Sequence, residues 1–237
     1  MYDAPDRVNA TQADPVLKLC GEEVQLLAEG ALYWPAHDTL IVADLHFEKG
    51  SSYASRGVYL PPYDTSATLT RLEALVARLK PTSVIALGDS FHDGEARARI
   101  AGVDAARIRN LTNACTWTWI AGNHDPLPEG FGGTIEEEVR VSALTFRHEP
   151  AHAPATGEVA GHLHPCAVVR VRGRRLRRRC FASDGTRLIL PAFGAYTGGL
   201  NVCDVAYQPL FAGRDFHAWM MGRDQVVPVS AKRLVSD

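Results

Sequence analysis

The sequence predicts an α/β fold in which two packed mixed β-sheets are flanked by helices, and three observations predict it. Between residues 40 and 121, apolar runs of strand length alternate with amphipathic helical stretches, the βαβ pattern that implies a largely parallel inner region. Before that the chain reads as short β-type runs broken by turn residues, and after Ile135 it reads as mostly β to its end. A chain of 237 residues that is 46% apolar can also bury a sizeable core without staples.

Taken in order, residues 1–15 are polar with Pro, Asp and Asn and form a loose lead-in, and residues 16–237 form a single domain. Three short strands cover 16–20, 23–28 and 31–34, punctuated by Gly21, Gly30 and Pro35. A fourth covers 40–43. Between Pro61 and Lys80, Leu69, Leu72, Leu75, Val76 and Leu79 recur at helical spacing, with Asp64 or Thr65 as N-cap and Pro81 as the stop. A strand over 84–87, a helix over 103–114 and a strand over 116–121 complete the alternation. No repeat, low-complexity tract or linker marks a further boundary.

Composition narrows the classes. A net charge of −2 gives no whole-molecule basic field, so attraction for a polyanion has to come from a local patch. The five cysteines are odd in number and widely spaced, with no Cys-x-x-Cys pair, which argues against a disulfide framework and a zinc knuckle. The first residues lack a basic start followed by an apolar run, and no stretch of 18 apolar residues occurs, so the expectation is a cytoplasmic protein without a membrane span.

Chemistry concentrates in five short runs: Asp44-Leu45-His46, Gly88-Asp89, Gly122-Asn123-His124-Asp125, His148, and Gly161-His162-Leu163-His164. Each follows a strand-like stretch, the last more weakly, so their side chains can converge at strand ends, where open α/β sheets hold their sites. Carboxylate, amide and imidazole donors on one concave surface suit divalent metals. Asp44 and His46 are two apart, so on a strand they would share a face and could chelate one ion. His162 and His164 have the same spacing and could each reach a different ion. Asp89 is a natural bridge with its two oxygens, Asn123 offers a carbonyl oxygen, and His148 completes the second site, with His152 as its rival. Two ions about 3.5 to 4 Å apart can activate a water and hold both oxygens of an in-line displacement at phosphorus. His124, followed by Asp125, is then free to protonate the leaving alkoxide.

The ordered set resembles the calcineurin-like metallophosphoesterase superfamily over roughly residues 40 to 165. That resemblance implies the αββα metallophosphoesterase sandwich. It also implies one metal on Asp44, His46, Asp89 and His164, the other on Asp89, Asn123, His148 and His162, and His124 as the catalytic imidazole. Many members carry Gly-His at the fourth motif, where this chain has Arg147-His148. The flanks Phe47-Glu48-Lys49-Gly50, Ser90-Phe91-His92-Asp93 and Leu190-Pro191-Ala192-Phe193-Gly194-Ala195-Tyr196-Thr197-Gly198-Gly199-Leu200-Asn201 look like the bacterial ligase-associated DNA damage response endonucleases. This narrower resemblance implies a manganese-dependent phosphodiesterase acting on single-stranded DNA, functionally associated with a DNA ligase, an exonuclease and a helicase. Iron or zinc would also suit the donors.

Substrate-binding candidates stand outside the five runs. His92 could contact substrate phosphate or support a ligand. In the run 170–179, Gly173 suggests a hairpin that sets Arg170 and Arg172 on one face and Val169 and Val171 on the other, a ribbon that could hold a nucleic-acid backbone. The high arginine usage of the whole chain is the plainer explanation of that run. Of the aromatics near the motifs, Phe47, Tyr53, Tyr59, Tyr63, Phe91 and Tyr196, most are expected in the core. Tyr196, between Gly194 and Gly198, is the one placed to meet a ligand. Two other functions stay open: a small-molecule phosphatase or nucleotide pyrophosphatase, and a non-catalytic protein-binding scaffold.

Overall fold

The computed structural model describes residues 14–124, 130–152, 155–211 and 215–237. Strands β1 (Val16–Leu19), β2 (Glu22–Leu26), β3 (Leu32–Trp34) and β4 (Thr39–Ala43) run antiparallel in sequence. From β4 the sheet turns parallel, through β5 (Ser83–Leu87), β6 (Thr116–Ile120) and β7 (Thr134–Glu136). Parallel neighbours need crossovers, and the crossovers carry the helices. These are α1 (Lys49–Ser55) and α2 (Asp64–Leu79) between β4 and β5, then α3 (Ala96–Arg99) and α4 (Gly102–Ala114) between β5 and β6.

Strands β4 and β5 are buried on both faces, which is why they read as continuous apolar runs. Leu40, Val42, Val84 and Ala86 belong to one core with Leu69, Leu72 and Leu75 of α2 and Ile108 and Leu111 of α4. Ile41, Ala43, Ile85 and Leu87 point the other way, into a second core with Leu144, Phe146, Val159 and Leu188. The period of two along a strand thus divides the same segments between two layers. Each aliphatic side chain buried this fully contributes roughly 1.5–3 kcal/mol.

The second sheet collects the rest of the chain. Its strands are β8 (Glu138–Val141), β9 (Leu144–Arg147), β10 (Glu158–Ala160), β11 (Pro165–Val171), β12 (Arg174–Ser183), β13 (Arg187–Ile189) and β14 (Leu200–Asn201), in the order β14-β11-β12-β13-β10-β9-β8. Strands β15 (His217–Met221) and β16 (Val226–Ser230) join it through β12. Pairs β9–β10 and β10–β13 are parallel and β11–β12 is antiparallel, so this sheet is mixed as well.

The expected two-sheet α/β sandwich is what forms. Among the described residues, its α-helices all arise in the crossovers of the first sheet. On the second sheet, Val202, Tyr207, Leu210 and Phe211 share a core with Ala160, Ala167, Cys180 and Ala182, and the helical elements there, among the described residues, are 3-10 turns at Val205–Tyr207 and Ala231–Arg233. Asp64 and Thr65 differ from their expected capping role. Tyr63 occupies the N-cap of α2, while Asp64 accepts from the Gly50 N–H and Thr65 bonds both the N–H and the carboxylate of Glu48. They tie α2 to α1 instead of ending a helix. No helix among the described residues is long and apolar enough to cross a membrane. Of the predicted lead-in, residues 1–13 lie outside the described residues.

Candidate metal centre

Every chemical run begins at the carboxyl end of a strand: Asp44 after β4, Gly88 after β5, Gly122 after β6, His148 after β9 and Gly161 after β10. The first three strands come from one sheet and the last two from the other, so the crevice forms where the two sheets' ends meet. The pairing of Asp44 with His46 has a different cause from the one expected. Strand β4 ends at Ala43, and Asp44 and His46 lie at φ 53 and 44 in the left-handed region, with a residue between them. Asp89, His162 and His164 share that conformation, at φ 45, 68 and 47. A left-handed non-glycine residue costs about 1–2 kcal/mol, and strain gathered at one set of polar residues points to a function it serves.

Neighbouring backbone holds these turns. The His46 N–H donates to the Asp89 carbonyl at 2.9 Å, the Phe47 N–H to that of Ser90 at 2.8 Å, and the Gly194 N–H to that of Asp44 at 3.1 Å. Gly88, at φ 68, lies under the His148 ring; a Cβ there would stand 2.4 Å from it.

Two groups of donor atoms result. Asp44, His46 and His164 bring one ligand atom each to within 4.8 Å of one another, and Asp89, His148 and His162 do the same. Asn123 joins the second group, its Oδ1 lying 2.8 Å from His148 Nε2 and 3.1 Å from His162 Nδ1. Asp89 spans both, with Oδ2 3.8 Å from His46 Nε2 and Oδ1 3.4 Å from His148 Nε2. His148 is buried within this group, whereas its rival His152 is exposed outside it.

The donor chemistry fits cations. His148 Nδ1 lies 3.0 Å from the Leu87 carbonyl, which can only accept, so Nδ1–H donates there and Nε2 is the ring atom turned to the donor group. Nε2 faces the Asn123 and Asp89 oxygens, a gathering of ligand atoms that a cation would satisfy. Burial, partly opposed by the Asp44 charge, pushes the His46 imidazole down to about 3, so it is neutral near pH 7. Burial pushes the Asp44 carboxyl up, but the bond from His164 and the fields of His164, His148 and His46 outweigh it and hold it below its ordinary range. Burial followed by the field of His148 lowers the His162 imidazole.

His124 stands beside these groups and outside both. Its backbone N–H donates to Asp89 Oδ1 at 3.0 Å, its Nε2 is 3.9 Å from Asp89 Oδ2, and its side chain is 45% exposed. Its ring stacks on His92, with centroids 5.6 Å apart and planes 14° apart. His92 Nδ1 is 3.4 Å from His46 Nδ1, and burial, followed by the field of Lys49, lowers its imidazole. Asp125, expected to act with His124, lies outside the described residues. A cleft of about 410 Å³ is lined by Asn123, His148, Arg147, Glu137, Glu138 and Glu149.

Other expectations change with the geometry. Arg172 and Gly173 form the hairpin turn, at φ 49 and 75, so Arg172 does not share a strand face with Arg170. Strand β11 also carries both away from His164 over roughly 20 Å of extended chain. Farther along the run, Arg177 donates to the Gly199 carbonyl, and Arg179 donates to those of Ala192 and Thr197, so these two hold the loop that contains Tyr196. The Tyr196 hydroxyl donates to the Pro61 carbonyl at 2.7 Å. Gly194 is explained by the protein itself, since a Cβ there would lie 2.4 Å from the Leu45 carbonyl oxygen.

Sequence reasoning left Tyr53, Glu158 and Arg187 without a role at the site. The Tyr53 ring stacks on His92 at 5.9 Å. Buried Glu158 and Arg187 pair at 2.6 Å, and they bond the N–H and the carbonyl of Ala151 respectively, three residues past His148. Arg187 directly after the turn residues Asp184-Gly185-Thr186 reads as a surface cation, and no spacing links it to the motifs.

Two sheets that deliver Asp, Asn and His to one crevice, with a carboxylate spanning two donor groups, define a metallohydrolase architecture. A family model described as calcineurin-like phosphoesterase matches residues 37–181, and the chain belongs to that family. It is a metal-dependent phosphoester hydrolase, in a family whose centre holds two metal ions. The crystal structure of the Pseudomonas putida nuclease MPE is 32% identical, with a TM-score of 0.70, the match covering 91% of this chain and 100% of that one. A phosphoesterase from E. coli, Yfce, is a remote likeness at 13% identity and a TM-score of 0.39, covering 82% of this chain and 98% of its own. A search of the curated proteins finds no match.

Proposed function

We propose that this chain is a nuclease that hydrolyses phosphodiester bonds of single-stranded DNA in the course of DNA repair, with manganese as its metal. The observation that carries this reading is the partly exposed His124, beside the two donor groups and a member of neither. Likeness over nearly full length to a protein described as a nuclease supports the nucleic-acid part. Single-stranded DNA, repair and manganese come from the resemblance of the flanking runs, as does the association with a ligase, an exonuclease and a helicase.

Asp44, His46, Asp89 and His164 would hold one cation, and Asp89, Asn123, His148 and His162 the other. When bound, the pair supplies an activated water and charge that stabilises the phosphoryl oxygens. His124 protonates the departing oxygen, which as an alkoxide would be a poor leaving group. The Asp89 oxygen on its backbone N–H keeps that imidazole at the rim of the centre. His92 supports the His124 ring by stacking and offers an imidazole to a non-bridging phosphate oxygen.

The test is His124→Ala in metal-loaded protein. Cleavage of single-stranded DNA should fall about 10²- to 10⁴-fold while both metals stay bound. Turnover of a small aryl diester, whose phenolate leaves without a proton, should fall much less. Undiminished DNA cleavage would refute the role of His124.

A further inference from the structure

Among the residues near the site, one group of large apolar side chains is turned to solvent. Val58, Tyr59, Leu60 and Tyr63 are 52%, 85%, 36% and 67% exposed, all in the connection between α1 and α2. The tyrosines are not the core residues the sequence suggests, whereas Phe47 and Phe91 are, at 1% and 4%. A contiguous exposed apolar patch marks a binding surface more often than chance does.

This connection is attached to the site at several points. The Val58 N–H donates to the Tyr53 carbonyl at 3.0 Å, so Tyr59 follows an anchored residue by one Cα step of about 3.8 Å. Pro61 receives the Tyr196 hydroxyl, and Asp64, next to Tyr63, accepts from Gly50 in the first turn of α1. From Tyr53 the rings of Tyr53, His92 and His124 form a stacked series that ends at the imidazole assigned to the leaving oxygen.

Charge is distributed along the same line. Lys49, 6.0 Å from the Tyr53 ring, and Arg56 both act electrostatically on His92. The cleft beside Asn123 and His148 is lined by Glu137, Glu138 and Glu149 together with Arg147, which pairs with Glu138. A polyanion reaching His124 is drawn towards Lys49 in α1 and Arg56 at the start of the connection that carries the tyrosines.

We propose that Tyr59 and Tyr63 form a stacking platform for unpaired bases of the nucleic-acid strand whose phosphate lies at His124, with Lys49 and Arg56 accompanying its backbone. This rests on the nucleic-acid reading of the site given above. Exposed aromatic rings beside cations are what sequence-tolerant binding of single strands uses, because every base offers a π-face. A duplex keeps its bases stacked on each other and cannot use such rings, so the platform selects unpaired substrate.

The experiment measures KM and kcat of the metal-loaded full chain for an unstructured oligothymidylate and for a small aryl phosphodiester. It compares wild type with Tyr59→Ala, Tyr63→Ala, the double variant and the matching Phe variants. Each alanine should raise KM for the oligonucleotide about five- to a hundredfold, the range that base stacking on one ring supports, and the Phe variants should restore it. The aryl diester, too short to reach the loop, should be turned over at the wild-type rate. An unchanged oligonucleotide KM in the double variant, with wild type cleaving that strand, would overturn the platform and leave the nuclease reading intact. Equal losses on both substrates would overturn it in favour of a structural role for the loop. An unchanged oligonucleotide KM with a changed oligomeric state would assign the patch to a second copy of this chain. A wild-type protein that turns over the aryl diester and no oligonucleotide would overturn the nuclease reading itself.

Discussion

Glu158 and Arg187 form an ion pair of 2.6 Å inside the second sheet, each side chain about 2% exposed. Between them they bond both backbone groups of Ala151, and Arg187 also donates to the Leu210 carbonyl at 3.2 Å. Burial pushes the Glu158 carboxyl up, and the Ala151 N–H and the Arg187 and Arg147 charges oppose that push. A pair this dry is held by its hydrogen bonds, and it fixes the chain just past His148.

Breaking that pair should be costly. Arg187→Met would leave the Glu158 carboxylate buried without its main partner and is expected to cost about 3–5 kcal/mol. Urea unfolding of wild type and variant measures it directly. A loss under about 1 kcal/mol would mean that water replaces the guanidinium.

Metal content should distinguish the two histidines of the fourth motif. His148→Ala is expected to lower bound metal from two ions per chain to one, because it removes a donor from the Asp89, Asn123 and His162 group. His152→Ala should leave two. Elemental analysis of the purified variants gives the count, and the reverse pattern would make His152 the ligand.

Gly88→Ala should act on the same ion from below. Its methyl would stand 2.4 Å from the His148 ring, and φ 68 already disfavours any side chain there. The expected result is weaker metal binding, with a stability loss of about 1–3 kcal/mol from the strained backbone. Metal titration and thermal unfolding read the two effects separately, and wild-type affinity would show that His148 can tilt without cost.

Much of this is legible in the sequence. The strand–helix alternation from β4 to β6, the parallel pairing and the order of the motifs follow from local periodicity, which residues 40–121 carry plainly. Short α1 was not legible, because Lys49–Ser55 has too few residues to establish an apolar face. The exposure of Tyr59 and Tyr63 was not legible either. An aromatic residue near a motif reads the same whether a neighbouring element covers it or leaves it in water.

The sequence by itself determined which donor atoms this protein owns and that strand ends would carry them, since residue type and local spacing are properties of the chain. Only the tertiary structure decided how those atoms meet. The left-handed turns at Asp44, His46, Asp89, His162 and His164, the burial of His148 in a donor group that His152 stays outside and the stacking of His124 on His92 depend on contacts between residues far apart in the chain. Such contacts exist only after the two sheets have packed, and packing is what holds strained backbone in place.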